Sequence, residues 1–316
     1  MEIKEIEGSL DIAREISNKL FRRVGFLNEL GVSKEERIKH IEETLELYQH
    51  GKFEELCDAL FNALEVDKHK RECNNYREIV ENIISQEESS KSLYIYHIYA
   101  LRIMVREILK TYIICSESCK ELGQPTAFHL GSGSFFKRVS DDISCFITQI
   151  KRFLGVKGGS ESYLGRARIC SHSIGEAIRE LAYKGTNCEG ISDYLQQGAV
   201  ILIRHYIEVV IKEKYEEIYG EKIDSKIELY KLLRKVKGIA TGQDKTEQGL
   251  KLIKALFKDD DPKEILAHIE TLHVIRNWAN KFVHENKRHL FFWEPQIVYK
   301  YLLKDFRAFN FVFDGR

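Results

Sequence analysis

Proline is nearly missing from this chain, with three in 316 residues. Inside a helix, proline removes a backbone donor and clashes with the preceding turn. A chain that avoids it can be helical almost throughout. Long stretches of strict apolar–polar alternation, the mark of a half-buried strand, are missing as well. These two absences argue against a sheet and predict an all-α fold. Net charge is also lacking, because Lys+Arg and Asp+Glu stand at 49 each. With no overall basic field, a nucleic acid would have to bind through a local patch. No run of about 18 uncharged apolar residues occurs, so no membrane span is expected. The N-terminus, MEIKEIEGSLDIAREISNK, is charged from its start and does not read as a secretory signal. Seven scattered cysteines, an odd number, suit reduced thiols in a cytoplasmic protein better than a disulfide framework. Cys115 and Cys119, four apart with His129 further on, fit zinc-ligand spacings poorly. They read as packed helix cysteines. No metal and no cofactor is expected.

What is present is helical periodicity. Residues 9–30 read as an amphipathic helix, and Ser33 with Glu36 forms a capping box that opens the next. FEELCDALFNALEV and NNYREIVENIIS follow, then a long apolar helix over about 90–121. LGQPTAFHLGSGS, residues 122–134, reads as a loop from its Gly, Pro and Ser content. Its GSGS lacks the Lys-Ser/Thr of a phosphate-binding loop. VKGGSES, residues 156–162, is the best linker, and it divides the chain into helical domains at 1–155 and 160–316. The second half offers helices at 163–184 and 196–220, then IELYKLLRKV and KTEQGLKLIKALF. Asp261-Pro262 starts another, with Asp as N-cap and Pro at the first helical position. EPQIVYKYLLKDF reads as the last.

The helix opened by Asp261 contains TLHVIRNWANKFVHENK. At about 100° per residue, His273, Arg276, Asn277, Asn280 and His284 fall within an arc of roughly 100°. Val274, Ile275, Trp278, Ala279, Phe282 and Val283 take the opposite side. Elsewhere the chain solvates its helices with Lys and Glu, as in IKEKYEEIYG. Asn and His are mediocre helix formers, so helix stability alone would not select them. The stripe reads as a site or as a polar helix–helix seam, with Lys281 at its margin. Arg204 and Glu208, four apart on the helix at 196–220, form either an intrahelical pair or a supplement to the stripe. KRHLFFWEP, residues 287–295, sets bases beside aromatics, as nucleobase stacking or a helix end running into core would.

The C-terminal half resembles the HEPN family, in particular a bacterial branch that ends in an R-x-x-G-N-x-x-x-H helix. AVILIRHYIEVVIKE is similar to the family's early apolar helix, IELYKLLRKVKGI to its short middle helix, and LHVIRNWANKFVHE to its signature helix, with Ala279 where that branch has Gly. The resemblance implies a small helical bundle that pairs as a homodimer. Nuclease members carry Arg-x(4–6)-His and cut RNA without a metal. Carried over, Arg276 and Asn277 are the Arg-polar pair and His284 is the His, with Asn280, His273, Arg204 and Lys281 in support or on RNA. A neutral His can deprotonate the 2′-OH near neutral pH. An Arg fork can hold the phosphorane. Arg276 and His284 are separated by seven residues, one more than that pattern. The implied activity is metal-independent endoribonuclease action or RNA binding in a bacterial antiviral defence or toxin setting. Residues 1–155 would then engage a regulatory protein partner. The alternative is a non-catalytic dimerisation or partner-binding module.

Overall fold

The computed structural model describes residues 3–22, 31–85, 90–156, 189–221, 223, 228–243, 246–284 and 290–309. Side chains at 22, 127–135, 189–197 and 282–284 are outside that description. The fold is all-α. Among the described residues there is no strand, only an isolated antiparallel bridge between Phe257 and Phe306. No described helix is long and apolar enough to cross a membrane. The chain forms two compact units. One comprises Met1–Cys73, Glu87–Ser192 and Phe291–Trp293, and the other Asn74–Gln86, Asp193–Leu290 and Glu294–Arg316. The units interleave along the chain instead of dividing it at one point.

In the first unit, α1 (Ile3–Ser17) buries Ile6, Leu10, Ala13 and Ile16, spaced three and four residues apart. It starts earlier than the periodicity at 9–30 predicts. At Asn18 it loosens into a π-helical turn to Arg22, with Leu20 and Phe21 fully buried. Phe21 stacks on Phe136 at 5.9 Å and meets Phe53 edge-on at 6.3 Å. The capping box is formed: Ser33 Oγ accepts from the Glu36 amide, and the Glu36 carboxylate from the Ser33 amide. It opens α2 (Lys34–Gln49), and α3 (Lys52–Ala63) follows a left-handed Gly51.

The long helix α5 (Lys91–Leu122) stops at Gly123, at φ 59°. Glycine reaches that region without the Cβ clash other residues suffer. Glu54 of α3 receives hydrogen bonds from Arg102 and Arg106 of α5 at 2.7 and 2.6 Å. The helix α6 (Ala127–Phe153) corrects the reading of 122–134 as a loop, because it runs straight through GSGS. Glycine costs about 1 kcal/mol against alanine in a helix. The apolar face Phe136, Val139, Ile143, Phe146, Ile147 and Ile150, fully or almost fully buried, outweighs that. The linker expected at 156–162 lies, beyond Val156, outside the described residues, as does the helix expected at 163–184.

The second unit contains α4 (Tyr76–Ser85), α7 (Glu189–Tyr219) from Asp193 onward, α8 (Leu229–Ala240), α9 (Glu247–Leu256), α10 (Pro262–His284) and α11 (Trp293–Asp305) from Glu294 onward. Asp261 caps α10 as its sequence predicts, its Oδ1 accepting from the Lys263 amide at 2.9 Å. One side of α10 is pinned to α4 and α11. Arg77 pairs with Glu264, and the Thr271 hydroxyl lies within hydrogen-bond reach of both the Glu81 carboxylate and the Ala267 carbonyl. His268 is buried between the Tyr301 hydroxyl at 2.8 Å and Asp259 at 3.2 Å. Ile275, Trp278 and Ala279 are buried, as the two-faced reading of this helix requires.

Candidate functional site

The helix α8 buries Leu229, Leu232, Leu233, Val236 and Ile239. That spacing leaves Tyr230, Arg234, Lys237 and Thr241 along a second face. This face lines a groove of about 700 Å³ whose other wall is Glu270, His273, Arg276 and Asn277 of α10. Gly238 and Gln243 complete the lining. Lys237 donates to Glu270, while Tyr230 lies beside His273 and Arg276. Numbers rise along one helix as they fall along the other, so α8 and α10 run antiparallel.

Tyr230 is the hub. The Arg276 guanidinium carbon is 4.9 Å from its ring centre and that of Arg234 is 5.7 Å away. The His273 ring meets it edge-on at 5.7 Å. Tyr230 remains 42% exposed, so a flat molecule can still reach it. Neither Arg234 nor Arg276 has a carboxylate partner among the described residues. Lys237 is committed to Glu270, which holds the Glu270 carboxyl below its ordinary range. The His273 pKa is lowered, chiefly by burial. Glu270 opposes the shift, and Arg276 and Lys237 add to it. His273 is therefore neutral at pH 7 and can accept a proton. Two guanidiniums with no carboxylate partner among the described residues, an exposed aromatic ring and a neutral imidazole can together hold an anion carrying a flat group.

Of the residues singled out from sequence, His273, Arg276 and Asn277 come together in this groove. Asn280 is half-buried and Lys281 exposed, and neither is part of the lining. Arg204 is on α7 away from the lining, with Nε buried and unpartnered among the described residues. Of the two readings of Arg204, the intrahelical pair with Glu208 is not formed, and Glu208 pairs with Lys212 at 2.7 Å. His284 ends α10, and its side chain is outside the described residues. Sequence reasoning missed Tyr230, Arg234, Lys237 and Glu270. The signal was the i, i+4, i+7 run of Tyr, Arg and Lys in IELYKLLRKVKGI.

Cys119 is buried on α5, and burial raises its thiol pKa. Among the described residues no group of three or more His, Cys, Asp or Glu could hold a metal. Phe291, Phe292 and Trp293 of KRHLFFWEP are core aromatics, with Phe291 stacked on Trp293 at 4.5 Å. They offer no surface for stacking a base. No family model, curated protein or solved structure matches the chain.

Proposed function

We propose that the second unit binds single-stranded RNA in the groove between α8 and α10, as a HEPN-like domain. The observation that carries this reading is Arg276, which lies over an exposed tyrosine ring and has no carboxylate partner among the described residues. A buried or structural arginine normally finds an anionic partner. One held over an aromatic ring beside an open groove suits a phosphate from outside. Asn277, exposed next to it, can orient a phosphate oxygen or a base edge.

Cleavage is the enzymatic form of the same reading. His284 would take the 2′-OH proton and Arg276 would neutralise the phosphorane, with no metal required. Eight residues of helix separate their backbones by about 12 Å. A homodimer would let His284 of one copy act beside Arg276 of the other. The first unit would engage a regulatory protein.

The test is incubation of a labelled single-stranded RNA with the purified protein in EDTA, with His284→Ala in parallel. Cleavage by the wild type and binding without cleavage by the variant support the enzymatic form. Binding without cleavage by both leaves an RNA-binding module. A dimer that neither binds nor cuts RNA overturns the reading in favour of a non-catalytic pairing module.

A further inference from the structure

The groove contains more basic groups than the α10 stripe provides, and their arrangement is specific. Arg234 and Arg276 come from different helices, yet both guanidiniums approach the Tyr230 ring. Their carbons can be no more than about 11 Å apart, because each is within 5.7 Å of the same ring centre. Like charges at that range repel, and neither guanidinium has a carboxylate partner among the described residues to offset this. The third base, Lys237, is paired with Glu270.

Resting on the RNA reading above, we infer that Tyr230 and Arg234 of α8 form, with Arg276, a clamp for one phosphate group of the strand. The tetrahedral anion sits against both guanidinium forks, and the exposed Tyr230 face stacks the adjoining base. Guanidinium suits this role better than ammonium, since it stacks on a ring through its face and donates to phosphate oxygens through its edge. The phosphate is either an internal phosphodiester or the phosphomonoester at a strand end. Each has the tetrahedral oxygens the clamp requires.

Arg234 and Tyr230 are exposed, so replacing them leaves the α8 core intact. The test measures binding of a labelled 12-nucleotide RNA to the full chain over a range of salt concentrations. Arg234→Ala should weaken binding about ten-fold and flatten the log–log salt slope by roughly 0.7, the value for one phosphate contact on a single strand. Arg234→Lys should recover the slope but not the affinity. Tyr230→Leu should weaken binding with the slope unchanged. A 5′-phosphorylated RNA that binds several-fold tighter than its 5′-hydroxyl twin supports the clamp with the strand end as its source. Equal binding, with the Arg234→Ala loss intact, supports it with an internal phosphodiester. Unchanged affinity and slope in Arg234→Ala, alongside a loss in Arg276→Ala, overturns the clamp and leaves the RNA reading standing. No change in either variant overturns both.

Discussion

Arg276 rests over Tyr230, with 4.9 Å from guanidinium carbon to ring centre. The contact ties the polar side of α10 to the exposed side of α8. It is worth only about 0.5–1 kcal/mol at an exposed site, too little to be a reason for the fold. Its effect is to hold the guanidinium at the groove, at low entropic cost to a ligand that needs it there.

His273 gives the groove a pH dependence. It faces Glu270 and Arg276 on its own helix and Tyr230, Arg234 and Lys237 on α8. Its pKa in the folded protein is below the ordinary 6.5. Between the two values the unfolded chain holds more protons, so stability rises with pH. The contribution of neutral His273 is complete above about pH 6.5 and is lost as pH falls through the lowered value. As pH falls from about 7.5 to 5, urea midpoints should fall more steeply for the wild type than for His273→Gln. Parallel curves would contradict this.

Glu54 should matter at lower pH. Burial works against its charge, but hydrogen bonds from Arg106 and Arg102 prevail, and its pKa is lowered. Its contribution is present above its ordinary value of 4.5 and lost as pH falls through the lowered one. The side chain is about one-third exposed, which discounts the pair for solvent screening. Glu54→Gln should cost about 1 kcal/mol at pH 7. The gap from wild type should close as pH falls below the carboxylate range. A gap that persists in acid would show that the charge is not responsible.

The indole of Trp293 donates to His97 Nδ1 at 2.8 Å, and both residues are buried. Trp293→Phe keeps an aromatic ring but removes the donor. It should cost about 1–3 kcal/mol, read as a lower urea midpoint with an unchanged slope. A midpoint equal to wild type would mean that His97 had found another donor.

Elements defined by local chemistry could be read from the sequence. Ser33 with Glu36, and Asp261 with Pro262, act within a single turn, and the observed helices begin where these residues place them. The buried side of α10 followed from helical angle alone. GSGS misled because glycine and serine report a local preference, while the apolar face beyond Phe136 decides the outcome. The stripe showed which α10 residues share a face, but not that α8 half-covers it. Tyr230 and Arg234 belong to the site only through that neighbour, and no spacing within α10 encodes it. Glu208 similarly had two cations within one turn, and side-chain geometry gave it to Lys212.

The most direct measurement is the affinity of a labelled single-stranded RNA for the wild-type chain and for Arg276→Ala, at fixed salt and in EDTA. The expected result is binding by the wild type and a loss of at least about ten-fold, or 1.4 kcal/mol, in the variant, with its unfolding free energy within about 1 kcal/mol of wild type. Equal RNA affinity in the two proteins would contradict a role for the groove in binding RNA.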